Sequence, residues 1–191
     1  MRIAILAFWL ILPAAVWAES GAGRVIALAA PVTHADWEPR RAADGCTLAH
    51  EIPGYGRVRF IADYAGRLRF ELDPWWRPTR SDTLSVVAAP PPWRHEGSVR
   101  QLAEVRMEAN SPVVSASGPV AERLLIELNE GMELRVRHPD WVDGSQSVDI
   151  RLVPVRFSPA AAVFRACVAE LSSRLPAPID TSALQALPRS P

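Results

Sequence analysis

The clearest signal along this chain is alternation of apolar and polar side chains with a period of two, the mark of strands with one dry and one wet face. Thr47–Ile52 reads as a strand, and Pro53-Gly54-Tyr55-Gly56 reads as the turn that follows it. From Arg57 to Asp63, Val58, Phe60 and Ala62 face one way while Arg57, Arg59 and Asp63 face the other. After Tyr64-Ala65-Gly66 the pattern repeats, with Leu68, Phe70 and Leu72 inward and Arg67, Arg69, Glu71 and Asp73 outward. Together these segments predict a hairpin. Thr83–Ala89 is a more continuously apolar strand, ended by Pro90-Pro91-Pro92-Trp93. Val99–Met107 reads as a strand, with a short helix as the alternative, and Glu133–Arg137 and Ser147–Phe157 read as further strands, Pro154 implying an edge position or a bulge in the last. Glu19–Ala35 is weakly patterned and reads as a lead-in arm or an edge strand.

Two stretches switch to helical spacing. Pro119 suits a first helical position, Val120, Leu124 and Leu128 recur at i, i+4 and i+8, and Gly131 fits a residue just past the helix end. The second helix is expected from Ser158 as N-cap and Pro159 at N1 to about Arg174, with Ala160, Phe164, Cys167 and Leu171 on one stripe. The predicted fold is mainly β (α+β): an antiparallel, barrel-like sheet with two helices, the C-terminal one carrying a cysteine toward the core. Closing many short strands on themselves is the simplest way to protect their edges.

The first residues change the setting in which this fold is read. Met1-Arg2, the apolar run Ile3–Val16 and Val16-Trp17-Ala18 have the three regions of a secretory signal peptide, with cleavage expected after Ala18. The apolar run is too short for a transmembrane anchor, so no membrane span is expected after signal removal. The expected organisation is a signal peptide at 1–18, a domain at 19–176 and a disordered tail at 177–191, located in the periplasm. In an oxidising compartment the two cysteines, Cys46 and Cys167, are most simply a disulfide; two unrelated buried thiols are the alternative. A loop of that length is worth roughly 5 kcal/mol in the chain-entropy model, an upper figure.

Composition excludes several chemistries. The 191 residues carry 21 basic and 21 acidic groups, without the basic surplus of a nucleic-acid binder. Every basic residue is arginine, so a lysine nucleophile, a Schiff base and a Walker-type phosphate loop are all ruled out. The four histidines, His34, His50, His95 and His138, form no HxH, HExxH or HxxxH pair, and Ser117-Gly118 lacks a nucleophile-elbow frame. No catalytic set, cofactor site or metal site is expected.

The aromatic residues carry more. Trp37 and Trp93 read first as core or loop-pinning residues. Trp75 and Trp76 are adjacent and cannot both face one interior from an extended segment, so one is exposed. An exposed loop tryptophan beside arginine is hot-spot chemistry for protein binding. Trp75, Trp76, Arg77, Trp93 and Arg94 are therefore the candidate partner-binding residues, with Trp76 expected to matter more for binding than for stability.

The order of these signatures resembles one family. Trp37, then Cys46-Thr47-Leu48-Ala49-His50-Glu51-Ile52-Pro53-Gly54-Tyr55-Gly56, then Phe60, Leu68-Arg69-Phe70-Glu71-Leu72, Pro92-Trp93-Arg94, and finally Phe157, Phe164, Cys167 and Leu175-Pro176 are similar to the N-terminal domain of MotY proteins. The resemblance covers roughly Val25 to Pro176. It implies a mainly β periplasmic domain that depends on a disulfide, here Cys46–Cys167. It also implies association with the flagellar basal body at the T ring and with MotX-like or stator components. MotY proteins continue into an OmpA-like domain that grips peptidoglycan; here no such domain and no direct peptidoglycan anchor are expected. The functional expectation is a non-enzymatic periplasmic protein-binding module of the flagellar motor. The alternative is a stand-alone envelope adaptor using the same fold with another secreted partner.

Overall fold

A computed structural model describes residues 24–42, 45–76, 81–111, 113–139 and 146–174. The strands are β1 (Val25–Ala29), β2 (Glu38–Ala42), β3 (Gly45–Ile52), β4 (Gly56–Asp63), β5 (Leu68–Pro74), β6 (Asp82–Ala89), β7 (Arg100–Met107), β8 (Val114–Ser117), β9 (Glu133–Pro139) and β10 (Ser147–Leu152). Two helices, α1 (Pro119–Asn129) and α2 (Phe157–Arg174), follow β8 and β10. The expected signal peptide and C-terminal tail lie outside the described residues.

The alternating segments form strands in the expected sense. Val58, Phe60 and Ala62 of β4 and Phe70 and Leu72 of β5 are buried, and Phe60 stands opposite both Leu48 of β3 and Phe70. The strands do not close into one sheet. They form two five-stranded sheets, β1-β10-β9-β6-β7 and β2-β3-β4-β5-β8, whose buried faces feed one continuous core. The outer strands β7 and β8 come close to one another without pairing.

The lead-in segment is an edge strand, and it supplies the one parallel pairing among the described strands, β1 with β10. The reason is shared direction. Both strands leave the first sheet at the same end, where the Trp37 indole N–H, beyond β1, donates to the carbonyl of Val153, just past β10, at 3.3 Å.

Helix α1 begins and ends as its sequence predicts. Gly118 is its N-cap and Pro119 its first residue. At the other end Gly131 takes φ 81°, Gly131 N–H donates to Leu128 carbonyl at 3.1 Å, and Met132 N–H donates to Glu127 carbonyl at 2.9 Å. These are the two bonds of a Schellman cap, which a left-handed glycine makes cheap. The start of α2 differs from expectation. Strand β10 stops at Leu152, before Pro154, and Phe157 opens the helix instead of closing the strand. Ser158 is therefore inside the first turn rather than its cap, and its hydroxyl donates to Asn129 carbonyl at 3.4 Å. Pro159 still falls in the first turn, where no backbone donor is needed.

The wet face of β5 also differs. Glu71 points outward but is only 7% exposed. Arg59 from β4 and Arg69 from its own strand close over it at 2.9 and 2.7 Å, and Arg59 reaches Asp73 as well at 3.3 Å. A planar guanidinium can serve two carboxylates at once, and these side chains cover one another.

Trp37 is the hub of the core. Buried as expected, it stacks on His50 at 4.7 Å, meets Phe157 edge-on at 4.8 Å and lies 6.1 Å from Phe60. Cys46 of β3 is bonded to Cys167 of α2 across a separation of 121 residues, which ties α2 to the second sheet beside this cluster. Arg41–Glu170 at 3.2 Å and Arg156–Asp36 at 2.8 Å add exposed ion pairs to the same junction, each worth little by itself.

Two expectations follow for solution. Cys46→Ser and Cys167→Ser should each lower the unfolding free energy by about 3 kcal/mol, and the double variant should add less than about 1 kcal/mol, because both remove one bond; equilibrium denaturation checks this, and additive losses would contradict it. His50 should make the fold acid-sensitive. Desolvation holds its imidazole below the ordinary value of 6.5, and the bond to the Asp36 carbonyl offsets that only in part. The unfolded chain therefore binds this proton first, so stability is full above about pH 6.5 and falls as pH drops from there toward the folded-state value. His50→Gln should flatten that step in unfolding free energy measured across about pH 7 to 5.

Candidate interaction surface

The tryptophan pair after β5 is placed by a close backbone approach. Trp75 N–H donates to Tyr55 carbonyl at 2.8 Å. Gly56 makes this contact possible: at φ 147° a Cβ there would fall 2.2 Å from Asp73 carbonyl oxygen and 3.0 Å from Trp75 nitrogen. With the backbone pinned, the two side chains diverge. Trp76 is half-buried, its ring edge-on to Tyr55 at 5.5 Å, and packs against the core. Trp75 projects outward and is 63% exposed. The exposed member is thus Trp75, while Trp76 lies against the core. Tyr55 beneath it is fully buried, which pushes its phenol far above the ordinary range. Arg77 lies outside the described residues.

The second candidate group sits after β6. Arg94 N–H donates to Pro91 carbonyl at 2.9 Å, closing a turn over the proline run. The Arg94 guanidinium donates to Glu130 carbonyl at 3.2 Å and meets Met132 Sδ at 3.7 Å. A cation is thereby placed at the C-terminal end of α1, where the helix dipole favours it. Trp93 is 56% exposed, so of the core or loop-pinning role expected for it only the loop position remains.

The two groups are not neighbours. Tyr55 touches both Trp76 and His138, and the register of β9 with β6 sets His138 near the start of β6, whereas Glu133 stands opposite Ala89 at its end. Trp75 and Trp93 therefore mark opposite ends of β6, an eight-residue strand spanning roughly 23 Å.

A trough of 730 Å³ lies over the outer face of β2, β3 and β4, lined by Arg40, Glu51, Arg57, Arg59 and Ile61 among others. Its charges are mixed. His50 at its margin is committed to Trp37 and the Asp36 carbonyl. A smaller groove of 330 Å³ runs between β2 and α2, beside Cys167, Val163 and Phe164. Among the described residues no group of three or more His, Cys, Asp or Glu side chains is placed to hold a metal ion. No described helix is long and apolar enough to cross a membrane. Neither concavity was foreseen in the sequence, since β2, with Pro39 and three charged residues, carries no alternating apolar signal.

The order of the core residues, the disulfide and the tryptophan turns coincides with a known pattern: the family profile described as the MotY N-terminal domain matches residues 28–173. The chain belongs to this family. Its members are components associated with the flagellar motor. A search of curated proteins finds no match. The MotY match runs from the end of β1 into α2 and takes in Trp37, both cysteines, Trp75, Trp76 and Trp93.

The two adjacent tryptophans should separate cleanly on mutation. Trp76→Ala should cost about 2 kcal/mol of stability through lost packing on Tyr55, while Trp75→Ala should stay within about 0.5 kcal/mol of the parent. Thermal and chemical denaturation of both variants measures this; equal losses would place Trp75 in the core as well.

Proposed function

We propose that this MotY-family protein is a periplasmic, non-enzymatic protein-binding module that serves the flagellar motor. It associates with the basal body at the T ring and helps stators assemble. The family match across residues 28–173 carries this reading. The disulfide supports export, since such bonds persist in oxidising compartments. The reading takes residues 1–18 as a cleaved signal peptide, 19–176 as the binding domain and 177–191 as a tail.

Within this reading the binding residues are Trp75 and Trp76 at one end of β6, Trp93 with Arg94 at the other, and Arg77, which lies outside the described residues. Trp75 has the attributes of an anchor: a large aromatic surface exposed to solvent, on a backbone held rigid by Tyr55. A rigid exposed ring gives up little entropy when a partner covers it.

The experiment is affinity capture of the tagged, exported protein from its native envelope, with Trp75→Ala in parallel. Recovery of basal-body and stator-associated proteins by the parent, reduced at least about tenfold with Trp75→Ala, is the expected result. Recovery of a different, reproducible secreted partner, with none of the motor proteins, would mean that the fold works as an envelope adaptor.

A further inference from the structure

Each sheet has two outer strands, and an outer strand carries a row of unpaired amides and carbonyls that invites another strand. Three of these four edges are guarded. Strand β2 carries Glu38, Pro39, Arg40 and Arg41, and α2 packs along it with Arg41 paired to Glu170. Strand β7 bears Arg100, Glu104 and Arg106, is bulged against β6 between Val86 and Val87, and runs beside β8. Strand β8 has only 4 residues.

Strand β1 has none of these devices. Its sequence, Val25-Ile26-Ala27-Leu28-Ala29, contains no charge and no proline, its register with β10 is regular throughout, and no described strand pairs with its far side. Val25, Ala27 and Ala29 are exposed on the outer face. Ile26 and Leu28 are half-buried on the inner face, where Leu28 packs against the core. The rim of the core is therefore open along this edge.

We propose that the free edge of β1 is a docking site for an extended segment of a partner polypeptide, which joins the first sheet as a sixth strand. The backbone row selects an extended chain. Ile26 and Leu28 select apolar residues at alternate positions on its inner side, and Ala27 and Ala29 leave room for small side chains on the outer one. Charge selects the flanks. Arg24 precedes β1, exposed, and its side chain meets no carboxylate among the described residues. Arg151 stands opposite Ala29, with only the buried Asp149 near it at 3.7 Å. Both ends of the edge are therefore basic, and the fitting segment has acidic residues flanking its apolar run. A second copy of this chain fits worse. Antiparallel pairing of β1 with itself would bring the Arg24 end of one copy to the Arg151 end of the other. A pair of 5-residue strands also covers only a few hundred Å², well short of the roughly 1,200–2,000 Å² of a stable interface. The inference rests on the edge itself and does not depend on the motor assignment.

The test uses a labelled synthetic peptide, Glu-Val-Thr-Val-Ser-Val-Glu, titrated into the oxidised full-length protein and followed by fluorescence anisotropy and amide hydrogen exchange. Saturable binding should slow exchange at β1 amides. Methylating the peptide nitrogens that face the ladder should weaken binding at least about tenfold, since two or more net hydrogen bonds are lost. Arg24→Glu should weaken binding without changing the melting temperature. Three results would overturn the proposal: equal binding of the methylated peptide, protection that maps away from β1, and β1 amides already protected without peptide. In the last case, sedimentation would tell a second copy from the chain's own residues as the occupant.

Discussion

The arrangement depends on holding α2 against the second sheet. That sheet exposes its apolar side to the core through Cys46, Leu48, Phe60 and Phe70, and α2 answers with Phe157, Ala161, Phe164 and Leu171. The small Ala161 in that stripe lets the helix come near, but it buries little area of its own. The Cys46–Cys167 bond removes a large share of the unfolded chain's freedom at this contact, and Trp37 fills the space beside it. Trp37 also reaches Val153 at the exit of β10, so one side chain joins the lead-in segment, both sheets and the helix.

The hairpins of the second sheet were legible because one face of β3, β4 and β5 is dry and the other wet, and a period of two survives in that setting. Strand β2 was not legible. Glu-Pro-Arg-Arg-Ala has no apolar alternation, and it is a strand because β3 offers it a ladder. Phe157 was misplaced for the opposite reason: Val153, Val155 and Phe157 alternate in sequence, one residue out of phase with Val148, Ile150 and Leu152, while the backbone turns at Pro154, with Arg156 at φ 54°. The family string from Cys46 to Gly56 was readable because it packs a disulfide, a stacked histidine and a tight turn into a few residues, each with its own structural duty.

The candidate surface shows where such reading ends. Adjacency alone says that one of Trp75 and Trp76 must be out. Which one is out depends on a hydrogen bond to Tyr55 carbonyl and a missing Cβ at Gly56, both contacts across the sheet. Trp93 poses the same difficulty. A polyproline run ends a strand, but the direction of the following indole is set by Arg94 reaching the end of α1, 36 residues on. Such long-range contacts leave no local pattern.

The exclusive use of arginine has a structural reading beside the compositional one. On the outer face of the second sheet one guanidinium spans Glu71 and Asp73, and a second covers the other oxygen of Glu71. The first sheet repeats the motif less tightly, with Arg137 and Arg151 at 3.8 and 3.7 Å from a buried Asp149 and Arg135 bonded to Glu133. Polar networks therefore seal both wet faces, while the charged residues of β2 and β7 guard their edges. Strand β1 stands outside both devices: its residues carry no charge, and no described strand pairs with its outer edge. Charge closes most of this fold's surface, and the uncharged rim at β1 is where the proposed partner segment would join the first sheet.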